Sequence, residues 1–187
     1  MKIHTNRKLF DLANRNAQRL ARNRLLEENA QALAWLAGAE SFFHPDTPDM
    51  VKNALARAIA NHSPCGIREE NVAVLQTARA DKAYACLTDW VTHLPEGDYF
   101  LSFGGGSMIS FDNSIQWIPV LPVFALSLKS ITPFLDTLRP FCNGDIALVS
   151  SCGRHAVISE SLMGYLPDEP SDDETVYELS TWSESTA

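Results

Sequence analysis

Lysine and arginine are missing from residues 160–187, where eight carboxylates (160, 168, 169, 172, 173, 174, 178 and 184) carry a charge of −8. That equals the net charge of the whole 187-residue chain, so the other residues hold fifteen charges of each sign and are neutral together. Long apolar runs are also missing. The longest, 117–128, is broken by Pro119 and Pro122 and falls short of the roughly 20 residues of a membrane-spanning helix. The N-terminus opens no apolar stretch of the secretory kind. No span and no export are expected, which points to the cytoplasm.

Cysteine is scarce and unpatterned. Cys65, Cys86, Cys142 and Cys152 form no Cys-x-x-Cys half-site and no dense framework, so four reduced thiols are the expectation. His44, Asp46 and Asp49 are accounted for by helix capping without a metal. Gly104-Gly105-Gly106-Ser107 has no following Lys and no Gly-x-Ser-x-Gly frame, so it reads as a turn. The Pro119-Val120-Leu121-Pro122 segment has core-like neighbours and no basic residue beside it, which favours burial over polyproline recognition. No cofactor is implied.

What is present is enough to fold. Apolar residues make up 45% of the chain and charged residues 20%, an ordinary globular balance. Leu9, Leu12, Ala13, Ala17 and Leu20 recur at helical spacing over 8–26, with Lys8, Arg15, Arg19 and Arg22 on the opposite side. A second helical pattern covers 29–43 and ends at His44-Pro45. Thr47-Pro48-Asp49 starts a third, running to about Ala60. Val72-Ala73-Val74-Leu75-Gln76 favours a strand, with a helix after it over 80–94. Two hairpins are expected, one joining 99–103 to 107–111 around the glycines and one joining 145–150 to 156–159 around Cys152-Gly153. Between them 117–128 reads as an edge strand, and Thr132-Pro133 starts a short helix through Leu138.

The expected fold is therefore α+β: a helical N-terminal half (1–62), then a mixed, mainly antiparallel, hairpin-rich sheet (67–163), together one domain. Residues 164–187 have the composition of an acidic, flexible tail. Val176, Tyr177, Leu179 and Trp182 are apolar anchors within it, able to dock on the chain's own domain or on a partner.

Three functional readings compete. The first is a non-catalytic interaction protein of the immunity or anti-defence type, which binds and neutralises a basic protein partner. It would use Asp168, Glu169, Asp172, Asp173, Glu174, Tyr177 and Trp182. The second is a nucleic-acid-associated accessory protein gripping phosphate with Lys8, Arg15, Arg19 and Arg22, disfavoured by a sequence pI near 5.0. The third is a cysteine-dependent enzyme at Cys152 and His155. Adjacent turn residues rarely present such a pair correctly, so no catalytic site is assigned.

Overall fold

The computed structural model describes residues 12, 15–17, 19–20, 22–42, 47–62, 69–103, 106–111, 114–119, 122–138, 146–164, 166–169 and 175–184. The chain divides into two compact units, Met1–Ala39 and Glu40–Ala187.

In the first unit, helix α1 covers 22–28 and α2 covers Ala30–Leu33, followed by a 3-10 turn at Ala34–Leu36. The Asn29 side chain separates α1 from α2 by donating to the Leu25 carbonyl at 2.9 Å, the local competition that makes Asn a poor helix-interior residue. Trp35 Nε1 similarly donates to the Ala32 carbonyl at 2.8 Å. The helix expected over 29–43 therefore stops early, and its last residues, Glu40–Phe42, are strand β1. Pairing of Phe42 with Val123 on β6 (Val123–Ser127) overrides a modest helical propensity.

In the second unit, a seven-stranded sheet has the order β1-β6-β3-β7-β8-β9-β2. Here β2 is Val72–Thr77, β3 Asp98–Phe103, β7 Ile146–Ser150, β8 His155–Met163 and β9 Thr175–Ser183. Every pairing is antiparallel. The fold is mixed α+β, as the sequence pattern requires. Helix α3 (Asp49–His62) buries Val51, Ala54 and Ala58, a one-sided helical spacing, against Val149, Ala156, Ile158 and Trp182. Helix α4 (Ala80–Thr92) buries Ala83, Leu87 and Val91 and lies on β8, β9 and β2. Beyond β6, α5 (Leu128–Ile131), a 3-10 turn with Pro133 in its first positions and α6 (Leu135–Leu138) follow in series.

Strand β2, helix α4 and the β7–β8 hairpin, with Val149 opposite Ala156, fall where expected. The first hairpin does not. Both edges of β3 are occupied, by β6 and β7, so 99–103 cannot pair with 106–111. Instead β4 (Gly106–Phe111) pairs with β5 (Ser114–Pro119) in a separate two-stranded sheet. The stretch read as an edge strand splits into β5 and β6, and β6 is interior, between β1 and β3. Pro119 ends β5 and Pro122 precedes β6, where a missing N–H costs no ladder bond.

The largest departure concerns the acidic segment. Residues 175–183 are not flexible but form β9, between β8 and β2 in the sheet. The apolar side chains at 176, 177, 179 and 182 are buried, so the segment docks on its own domain. The carboxylates at 168–174 lie in the connection between β8 and β9 rather than in a free terminus.

Candidate protein-docking ribbon

Strand β8 is longer than its neighbour. Among the described residues β7 pairs with residues 156–159, whereas β9 pairs with β8 from His155 through Met163. Residues 160–163 of β8 pair with 175–178 of β9, and Tyr177 and Glu178 pair on their other side with Thr77 and Gln76 of β2, so among the described residues Leu162–Met163 and Thr175–Val176 form a short two-stranded end of the sheet. Its two strands differ in burial. Val176 and Tyr177 are buried, while Leu162 is 45% and Met163 90% exposed. Met163 is the most exposed large apolar residue among those described.

The acidic connection follows the end of β8, and Glu169 within it is held down. One Glu169 carboxylate oxygen accepts from the Thr77 hydroxyl and from the Ala78 backbone N–H (3.1 Å), and the other accepts from Lys82 Nζ at 2.6 Å. These partners surround the start of α4, where the helix dipole also favours an anion. The Lys82 and Thr77 hydrogen bonds are the main causes that hold the carboxyl down to about 2. The folded value lies below the unfolded one, so the unfolded state binds more protons between them. This contact therefore stabilises the fold fully above about pH 4.5 and ceases to do so as pH falls towards 2. Glu169→Gln is expected to lower Tm near pH 7 and to leave it unchanged near pH 2; thermal melts of both proteins across this range check it. An equal Tm at neutral pH would mean that the contact contributes nothing.

The residues expected to face a partner are thus sorted. Asp168 is exposed, Glu169 is held by the chain's own α4, and Asp172, Asp173 and Glu174 lie outside the described residues. Tyr177 and Trp182 are 8% and 2% exposed. They belong to the core, which corrects their assignment to a partner surface. Leu162 and Met163 lie beyond the strand that the sequence pattern supports, which ends at Ser159. Ser159-Glu160-Ser161 carries no apolar alternation, so no local signal extends the strand to them.

Arg57 on α3 ties the C-terminal end of β9 in place. Its guanidinium donates to Glu69 (Nε, 2.9 Å) and Glu184 (Nη1, 2.7 Å), and it stacks 4.7 Å from the Trp182 ring centroid. Arg57 holds the Glu69 carboxyl below its usual range. Glu184 is therefore another acidic residue of the last segment with an internal partner.

At the other end of the β7–β8 hairpin, Cys152 is exposed in a turn where Gly153 has φ +72°, a left-handed conformation that suits glycine. The Ser150 hydroxyl, 3.4 Å from Cys152 Sγ, and then the Arg154 backbone N–H lower the thiol pKa. The imidazole of His155 instead meets Ser183 Oγ through Nδ1, at 2.8 Å. The thiol's hydrogen-bond partner is thus Ser150.

Of the basic face, Lys8 lies outside the described residues, Arg15 and Arg19 are exposed on helical residues, and Arg22 is half-buried and donates to the Ala37 carbonyl at 3.1 Å. Of the capping trio, His44 and Asp46 lie outside the described residues, and Asp49 meets Lys52 Nζ at 3.2 Å. Among the described residues no group of three or more His, Cys, Asp or Glu is placed to hold a metal ion, and no helix is long and apolar enough to cross a membrane. A groove of about 260 Å³ opens between the end of α4 and strands β2 and β9, lined in part by Ala73, Trp90, Leu94 and Thr181.

Residues 1–181 match the profile of one protein family, described as YokC prophage protein. No curated protein and no solved structure matches the chain.

Proposed function

The chain belongs to the YokC prophage protein family, and from that premise we propose that it is a non-catalytic interaction protein that binds and neutralises a basic protein partner, in the manner of an immunity or anti-defence protein. One observation carries this reading. Exposed Leu162 and Met163 stand at the end of β8, paired with Val176 and Thr175 of β9, and the connection that follows brings five carboxylates (168, 169, 172, 173 and 174) with no Lys or Arg. Apolar contacts supply affinity once desolvated, and the surrounding charge of one sign steers a partner of the other. A prophage family fits a protein whose target is a factor of the host or of a competing phage.

A combined variant, Asp168→Asn, Asp172→Asn, Asp173→Asn, Glu174→Gln, leaves the Glu169 anchor untouched. With partner captured on the wild-type chain and identified, its affinity is expected to fall at least about tenfold in the variant and to lose much of its salt dependence. Met163→Ser is expected to weaken binding without changing the salt dependence. A partner held equally well by both variants would sink the proposal.

The nucleic-acid reading retains one observation, the exposure of Arg15 and Arg19 four residues apart. A fluorescent duplex DNA or single-stranded RNA bound at low salt and released steeply with added salt would favour it over the protein partner.

A further inference from the structure

The basic helical pattern of the first unit has an apolar side that the described residues leave uncovered. Residues 12, 15–17 and 19–20 are helical and exposed, and α1 is helical over 22–28. Leu12 is 57% and Leu20 63% exposed. At 3.6 residues per turn the two stand about 80° apart around a helix, and Leu25, which is buried, stands about 140° from either. The packed side is therefore that of Leu25. Arg22 lies on it and donates to the Ala37 carbonyl of the same unit at 3.1 Å. Leu12 and Leu20 face away from that packing.

Charge frames the uncovered side. Residues 12–26 hold four arginines and no carboxylate. On the same helical spacing Arg15 and Arg19, both exposed, follow Leu12 around the helix on the side away from Leu20. Solvent thus meets an apolar stripe with a basic flank.

We infer that this helix docks in the plane of an anionic lipid bilayer, with Leu12 and Leu20 at the acyl boundary and Arg15 and Arg19 at the headgroup phosphates. Such a helix lies at the interface because its apolar side leaves water while long basic stems reach back to headgroup level. Negative lipid charge complements a segment without acids. Duplex nucleic acid would engage the arginines but leave both leucines in water. A second copy packed leucine to leucine would bring four arginines against four, with no carboxylate in 12–26 to meet them. No helix among the described residues is long and apolar enough to cross a membrane, so the contact is with the surface. It uses none of the residues at the end of β8, and either reading can fail alone.

Flotation of the full chain with vesicles tests this. The chain is expected to float with phosphatidylcholine–phosphatidylglycerol vesicles and not with phosphatidylcholine alone, and added salt should weaken the binding. Leu12→Ser combined with Leu20→Ser should lower vesicle affinity at least about tenfold. Both positions are exposed, so its far-UV circular dichroism should match the wild type. Asn16, exposed and midway between the two leucines around the helix, is a polar gap in the stripe. Asn16→Leu should raise the affinity at least about fivefold, a gain that misfolding cannot imitate. Arg15→Gln combined with Arg19→Gln should lower the affinity and flatten its salt dependence. No flotation with anionic vesicles, equal flotation with neutral ones, or a serine variant that binds undiminished would each overturn the inference. So would tighter binding to duplex DNA that the serine variant retains, or a lipid-free dimer that the serine variant loses.

Discussion

Ending the chain at residue 163 is expected to abolish folding of the second unit rather than release a regulatory tail. The cut removes β9, which pairs at nine positions with β8 and six with β2. It strands β2 and bares the end of the α3 core. Four large buried side chains are lost: Val176, Tyr177, Leu179 and Trp182. At roughly 1.5–3 kcal/mol each, their burial amounts to about 6–12 kcal/mol, as large as the whole stability of a typical domain, about 5–15 kcal/mol. No new contact compensates. The truncated protein should be insoluble or show no cooperative thermal transition, whereas a chain ending at 184 should melt like the full-length protein. A folded, soluble 1–163 would refute the placement of β9.

Trp182→Ala carries the next largest effect. The indole is 2% exposed, packed among Val51, Ala54, Ala58, Ala156 and Ile158 under the Arg57 guanidinium. Removing it leaves a cavity that rigid strands cannot close, at a cost of about 3–5 kcal/mol. The Arg57 stack adds roughly 1 kcal/mol where partly exposed. Among the described residues the indole N–H has no hydrogen-bond partner, so packing rather than polarity dominates. Trp182→Phe, which keeps most of the volume and loses no hydrogen bond, should therefore cost only roughly 1–2 kcal/mol. Urea unfolding of the two variants gives both differences. Equal losses in Phe and Ala would assign the effect to the indole nitrogen instead.

These two outcomes turn on the feature that the sequence made hardest to interpret. Residues 160–187 have every compositional mark of a solvated terminus, and the apolar residues at 176, 177, 179 and 182 were its only local counter-signal. Composition averages over a window, whereas a strand needs only its own alternation and two free neighbours. Those neighbours, β8 and β2, are near and very distant in sequence, and only the β2 pairing, across about a hundred residues, makes β9 an interior strand. The same limit explains β3. Its aromatic run and the glycines after it invite a local hairpin, yet β6 and β7 take both edges, and pairing goes one strand further along to β4 and β5.

The site divides along the same line. Asp168 and the carboxylates after it are legible in the sequence, because a run of one charge sign needs no partner to be seen. The inward turn of Glu169 to Thr77, Ala78 and Lys82 is not, since it depends on the start of α4 being brought beside a loop about ninety residues later. Nor is the exposure of Leu162 and Met163, which depends on how the end of β8 is placed in the sheet rather than on its own residues.

What the sequence determined by itself is what local physics decides: the starts of α3 and α4, the strand character of 72–76, the β7–β8 turn at Gly153, the mixed α+β class and the concentration of negative charge near the C-terminus. Caps, prolines, branched side chains and charge act within a few residues, so their consequences can be read there. The tertiary structure alone decided which strands neighbour one another, that β9 lies inside the sheet, and which acids remain for a partner. Strand order is set by how separate apolar faces are buried together, and that energy belongs to pairs of segments rather than to either one.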